Sequence, residues 1–235
     1  MWSYYGSKTN VVDYYPKPLF GSIVEPFAGS ARYSLKYFDR DITLIDKYKV
    51  ITDIWDWLKL ASPADVLSLP RIKKGETLND YVFDDNAQKL LLGFIIQFGV
   101  ATPGLSPSPQ KMDNRSNFID YTLKRISENI FKIRHWKIIN GEYSDQENIQ
   151  ATWFIDPPYQ FGGHKYRWSN KRIDFLKLAD WCKSLSGQQI VCENDKANWL
   201  PFINLSSFHG TKGMSNEVFY TNVPTSYGVE QLKLL

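Results

Sequence analysis

Ser22-Ile23-Val24-Glu25-Pro26-Phe27-Ala28-Gly29-Ser30-Ala31, followed by Ile42-Thr43-Leu44-Ile45-Asp46, is the stretch that decides the fold. Residues 22–25 form a brief apolar run, the length of a buried strand. Pro26 stops that run, and the small residues 28–30 make a turn. Residues 31–38 then carry a helical pattern, 42–45 a second apolar strand and 48–60 a second helix. Strand, glycine turn, helix, strand is the opening of a doubly wound α/β fold.

Reading outward, residues 7–15 are expected as a short helix ended by Pro16 and Pro18. After residue 60 the character changes. Ser62 caps and Pro63 opens a short helix, 85–98 reads as a longer one, and 116–134 as a basic one. Between the last two lies a loop at 99–114, rich in Pro, Gly, Ser and Asn. No strand pattern occurs there, so 61–135 is expected as a helical insert in an α/β frame. The frame resumes with strands at 137–139 and 152–155, a helix capped by Asn170 and running to residue 185, and a strand at 189–193. A closing hairpin is expected from 202–209 and 217–222 around 210–215. The expected organisation is therefore 1–60 and 136–235 as the two halves of one α/β domain, with 61–135 inserted.

Composition narrows the class. The chain has 235 residues, 43% hydrophobic and 23% charged, which is ordinary globular usage able to bury a large core. No apolar run reaches the ~18 residues of a membrane span, and no basic-then-apolar leader opens the sequence. A soluble, cytoplasmic protein with no membrane partner is expected. Cys182 and Cys192 lack the CxxC spacing of a disulfide or zinc framework. His135, His164 and His209 are far apart, so no metal site is expected. The net charge of +3 is too small to prove a polyanionic partner. Aromatic residues, at 15% with eight tryptophans, exceed what composition alone explains; most belong in a core, but nucleobases also stack on such rings.

Three motifs bear on chemistry. Gly6-Ser7-Lys8-Thr9 superficially suggests a phosphate loop, but the upstream glycine is missing and Ser7 separates Gly6 from Lys8. The turn at 25–31 and Asp46 lie at strand ends, where α/β sheets bind ligands and an acid can take a ribose hydroxyl; alone, each also suits an ordinary turn or cap. Phe154-Ile155-Asp156-Pro157-Pro158-Tyr159 is more specific. Paired prolines end the strand ladder and hold the preceding residue extended, so Asp156 is fixed at the strand end. The Asp156 carboxylate and Pro157 carbonyl can accept both hydrogens of a planar amino group while Tyr159 stacks on its ring.

With EPFAGS after the first strand, Asp46 after the second and DPPY after a later one, the chain resembles the Dam-like DNA adenine-N6 methyltransferases. The likeness extends to Tyr4-Tyr5-Gly6-Ser7-Lys8, which is similar to the family's opening segment, and to Ser215-Asn216-Glu217-Val218-Phe219-Tyr220-Thr221-Asn222, which is similar to its closing strand. The order of cofactor half, recognition insert and catalytic motif is also the family's. Ala31 stands where the family usually has a second glycine, and 61–135 holds no run that matches its base-reading hairpin.

The resemblance implies a Rossmann-like S-adenosylmethionine-dependent methyltransferase fold with a helical insert. It implies Asp156, Pro157, Pro158 and Tyr159 as catalytic. Tyr4, Lys8, Phe27, Ala28, Gly29, Asp46, Tyr143 and Asp156 are implied to hold S-adenosyl-L-methionine. Its substrate would be an adenine flipped out of double-stranded DNA, with a cognate restriction endonuclease as a candidate partner.

Residues 157–173 contain Lys165, Arg167, Lys171 and Arg172 with no acid, interleaved with Tyr166 and Trp168. Lys165, Tyr166, Arg167 and Trp168 are accordingly expected at the nucleic acid, against a plain solvated surface. Arg115, Lys124, Arg125, Lys132 and Arg134 are expected to extend that footprint. Methyl transfer to RNA or to a protein amide, and a catalytically silent nucleic-acid-binding module of this fold, are the alternatives.

Overall fold

A computed structural model describes residues 1–107, 117–210 and 213–224. One seven-stranded sheet runs through it in the order β3-β2-β1-β4-β5-β7-β6. The strands are β1 (Ser22–Pro26), β2 (Asp41–Asp46), β3 (Lys137–Asn140), β4 (Ala151–Ile155), β5 (Gly187–Asn194), β6 (Ile203–Gly210) and β7 (Gly213–Thr221). β1 to β5 are parallel, whereas β7 runs antiparallel to both β5 and β6. This is a Rossmann-like, doubly wound α/β fold closed by an antiparallel strand pair. The chain order reverses between β1 and β4, which pair directly through Ile23 with Thr152 and Val24 with Trp153. At that switch point the carboxyl ends of two strands open a crevice, and the turn after β1 lies beside Asp156 after β4.

The sheet is covered on both faces, which explains why β4 is buried at every position. Helices α1 (Arg32–Lys36), α2 (Lys49–Leu60), α3 (Pro63–Leu67), α4 (Asn86–Gln97) and α5 (Phe118–Ser127) lie in one layer, and α6 (Phe175–Ser184) in the other. In α2, Ile51, Ile54, Trp55 and Leu58 repeat at helical spacing and are fully buried. They share one core with Leu91, Leu92, Phe94 and Ile95 of α4, so the helical segment closes one face of the sheet. Trp2, Trp55, Trp136 and Trp153 are fully buried, so half of the tryptophans are core outright. No helix among the described residues is long and apolar enough to cross a membrane.

Three expectations about local structure change. Residues 7–15 hold only a 3-10 turn, Val12–Tyr14. The preceding residues are drawn into tertiary contacts, and a left-handed Gly6 (φ 73°) bends the chain into the crevice. The basic helix expected over 116–134 is α5 followed by a 3-10 turn, Ile130–Ile133. It breaks because the Asn129 side chain donates to the Arg125 carbonyl (2.8 Å), the acceptor that a continuing helix gives to the residue-129 amide. Arg115 lies outside the described residues.

The third change concerns α6, which starts at Phe175 and not near Asn170. Asp174 caps it, accepting the Leu176 and Lys177 amides at 3.1 Å each. Asn170 instead donates to the Gln160 carbonyl (2.7 Å) and braces the loop after Tyr159. Asp174→Ala is therefore expected to lower unfolding free energy by about 1 kcal/mol in urea titrations. A loss near zero would show that the cap carries no weight.

Candidate functional site

The turn after β1 is bent against its residues' preferences. Phe27 (φ 86°), Gly29 (φ 46°) and Ala31 (φ 45°) all have positive φ, and only one is glycine. Such backbone costs about 1–2 kcal/mol for an ordinary residue, so neighbours must hold it. The Ile45 carbonyl accepts both the Phe27 and Ala28 amides (2.9 and 3.0 Å). Asp46 accepts the Gly29 amide on Oδ2 (3.0 Å) and the Tyr48 amide on Oδ1 (2.8 Å). Trp55 Nε1 donates to the Gly29 carbonyl (2.9 Å). Residue 29 must be small, because a Cβ there would lie 3.0 Å from the Tyr4 ring. Helix α1 has no side-chain cap of its own. Glu25 from β1 accepts its Ser34 amide at 3.1 Å in that role. Burial pushes the Glu25 carboxyl up to about 8, opposed by the Ser34 bonds. Burial likewise raises Asp46 to about 6.

Opposite this turn stands the Asp156–Tyr159 motif. The Lys8 ammonium lies 2.7 Å from Asp156 Oδ1 and 3.6 Å from Glu217 Oε1, nearly sequestered from solvent. Glu217 Oε1 also accepts the Tyr15 hydroxyl (2.7 Å) and the Tyr159 hydroxyl. Lys8 sits 4.7 Å from the Tyr159 ring centroid, on one face of the ring. Two carboxylates thus share one ammonium, leaving one net negative charge in a buried site. Burial alone would lower the Lys8 pKa, but Asp156 and Glu217 overcome it and hold the ammonium charged. Burial raises Asp156 to about 6, with Lys8 opposing. The loop beyond is pinned by Glu193 at the end of β5, which accepts the Gln160 amide (2.6 Å) and Trp199 Nε1 (3.1 Å).

Two cavities flank residues 4–8. The first, about 400 Å³, lies at the switch point. All the residues expected at a cofactor line it: Tyr4 and Lys8 from the opening segment, Phe27, Ala28 and Gly29 from the turn, Asp46, Tyr143 and Asp156. Phe27 and Tyr143 stack there at 5.4 Å. Pro158 faces this cavity, whereas Pro157 is buried behind it and Tyr159 lines the second, about 820 Å³. Of the residues expected at nucleic acid, Tyr166, Arg167 and Trp168 line the first cavity. Tyr166 also borders the second; its hydroxyl donates to the Tyr5 carbonyl at 3.1 Å. Lys47 (4.4 Å) and Arg172 (5.0 Å) both lie over the Trp168 ring. Lys165 is exposed, 5.2 Å from the Tyr5 ring centroid.

Tyr15 and Glu193 were not singled out from the sequence, and Glu25 and Glu217 entered only within the EPFAGS turn and the closing strand, with no role of their own. Glu217 had a legible signal: it alternates with Phe219 along β7, and an acid in register with a fully buried ring needs a partner. The others become visible only once distant segments meet.

Lys8→Met would strand two buried carboxylates. A stability loss of about 3 kcal/mol at pH 8 is expected. It should shrink as pH falls toward about 6, because Asp156 without the Lys8 ammonium to oppose burial takes up its proton above that value. Urea titrations across pH check this, and a gap independent of pH would overturn the shared-ammonium arrangement.

No family model matches the chain, and neither does any curated protein. Solved structures do match. One is Escherichia coli yhhF, whose description as a methyltransferase is itself provisional, with a TM-score of 0.34 and 11% identity over 84% of this chain and 73% of that one. Another is a conserved hypothetical protein of Streptococcus pyogenes, with a TM-score of 0.34 and 12% identity over 86% of each chain. Likeness this distant says nothing of activity.

Proposed function

We propose that the protein is a DNA adenine-N6 methyltransferase using S-adenosylmethionine. One observation carries the reading: residues 4–8 divide two cavities, and the Asp156–Tyr159 loop presents its carboxylate to one and its ring to the other. A donor and an acceptor molecule can then meet at Asp156 without either displacing the other.

The first cavity suits the cofactor. Its volume is within the range of small-molecule sites. Phe27 and Tyr143 offer apolar walls to a flat ring system. Each Asp46 oxygen holds one amide and keeps a lone pair for a ribose hydroxyl. When bound, S-adenosylmethionine supplies an electrophilic methyl group on a sulfonium.

The protein's part is to position and to stabilise charge. Adenine N6 is a weak nucleophile because its lone pair is delocalised into the ring. Lys8 takes Asp156 Oδ1, so Oδ2 and the Pro157 carbonyl are the acceptors for the two N6 hydrogens. Holding both favours a pyramidal nitrogen with its lone pair directed toward the first cavity. As the carbon–sulfur bond breaks and the carbon–nitrogen bond forms, positive charge develops on that nitrogen, and one N6 proton is then lost to solvent to leave the neutral methylated base. The net negative charge of Asp156, Glu217 and Lys8 lies beside it, fixed in advance. In the second cavity the rings of Tyr5, Phe98, Phe118 and Phe161 accompany Tyr159, a surface suited to an extruded base. Exposed Lys165 and Arg167 are assigned to backbone phosphates.

The test is to incubate the protein with labelled S-adenosylmethionine and DNA, RNA or protein, then digest and identify the product. N6-methyladenine from DNA is expected; its absence across varied sequences would overturn the reading. Asp156→Ala should reduce transfer by at least about 10³-fold while calorimetry still shows cofactor binding. Asp156 must be ionised to accept N6 hydrogens. The wild-type rate is therefore expected to fall about tenfold per pH unit below about 6. A rate that stays level from pH 7 to 5 would remove the carboxylate from that role.

A further inference from the structure

Two guanidinium groups in the second cavity have no part in the chemistry above. Arg32, at the start of α1, donates from Nε to Ser7 Oγ (3.0 Å) and from Nη2 to the Trp2 carbonyl (2.6 Å). Arg125 of α5 donates from Nη2 to the Met1 carbonyl (2.7 Å), and its Nε is buried with no partner at all. Both line the second cavity. Neither makes an ion pair with a carboxylate among the described residues.

Charges withdrawn from water are ordinarily paired. Here two like charges stand together instead. Burial, followed by repulsion from Arg125, lowers Arg32 to about 10. Carbonyl and hydroxyl acceptors satisfy individual N–H bonds without cancelling the charge. Five N–H groups per guanidinium, less those used, leave donors to spare on both residues. Ser7, Thr9 and Asn10 add polar groups to the same wall. Such a wall complements a tetrahedral oxyanion, which planar guanidinium forks bind through paired hydrogen bonds. The second cavity is also about twice the volume of the first, leaving space for a sugar-phosphate beside a base.

We propose that Arg32 and Arg125 form a phosphate clamp that takes the phosphodiester of a DNA strand next to the extruded nucleotide. The proposal rests on the nucleic-acid reading above and adds a grip on the phosphate inside the second cavity, apart from exposed Lys165 and Arg167. The same guanidiniums hold the Met1 and Trp2 carbonyls and the Ser7 hydroxyl. Filling the clamp is thereby linked to residues 4–8, which carry Tyr4 and Lys8 to the first cavity.

Fluorescence anisotropy of a labelled DNA duplex with the full chain, in a salt series, tests this. Arg125→Gln is expected to weaken binding about tenfold. It should also reduce the slope of log affinity against log salt by about one. Arg125→Lys, which keeps the charge but not the fork, should restore the slope and recover only part of the affinity. Circular dichroism and urea midpoints establish that both variants fold. If Arg125→Gln is folded and binds DNA with unchanged affinity and slope, the clamp is refuted while the methyltransferase reading stands.

In a second arm, inorganic pyrophosphate should raise the melting temperature of the wild type and not of Arg125→Gln. If the wild type binds neither DNA nor RNA yet shows this shift, the anion site stands and the nucleic-acid reading fails. If RNA binds through the clamp and DNA does not, the assigned strand is wrong. An absent shift together with an unchanged salt slope overturns the clamp.

Discussion

Lys8 between Asp156 and Glu217 is the interaction on which the rest of the site depends. It joins three parts of the chain far apart in sequence: the opening segment, the end of β4 and the start of the antiparallel pairing of β7 with β5. Removing a buried partner from such a cluster is costly, because what remains is an uncompensated charge. The cluster therefore does two things with the same atoms. It closes the opening segment over the sheet, and it keeps a carboxylate ionised in a place where burial alone would protonate it.

That closure explains why the strained turn lies where it does. Phe27 and Ala31 adopt backbone conformations better suited to glycine, and the turn is held by Ile45, Asp46 and Trp55 from the next βα unit. Tyr4 lies against Gly29, so the opening segment also rests on the turn. Strain of this kind persists only where surroundings over-determine it, and it collects at ligand sites. Ala31 takes the left-handed region without being glycine, with its methyl group buried. Glu25, capping α1 from a neighbouring strand, supplies what Ala31 cannot.

The charge distribution becomes intelligible in the same terms. A chain with net charge +3 looks unremarkable. Its acids and bases are nevertheless sorted: carboxylates converge at the floor where the two cavities meet, and Arg32 and Arg125 stand unmatched on the wall of the second. One arrangement complements a developing positive charge and the other a phosphate. Trp168, which sequence placed at the bases, lines the first cavity beside Lys47 and Arg172, whereas Tyr166, packed on Tyr5, borders both cavities.

By itself, the sequence determined what depends on short-range pattern. The apolar runs at β1, β2, β4 and β5, the proline-ended loop at Asp156 and the Ser62–Pro63 helix start were all legible, because strand period, proline geometry and capping are local properties. Asp46 and the turn at 25–29 were legible in the same way, since they end adjacent strands, whereas Tyr4, Lys8 and Tyr143 were pointed to only by the resemblance. Tertiary structure alone decided the rest. Residues 8–11, helical by pattern, were recruited by Lys8 into an ion cluster, and the cap of α6 passed from Asn170 to Asp174 because Asn170 was needed to brace Gln160. Glu217 gained its place because an antiparallel strand delivered it, some sixty residues after Asp156, to the same ammonium. A charge buried at long range is satisfied by whatever the fold brings to it, and no local pattern encodes which residue that will be.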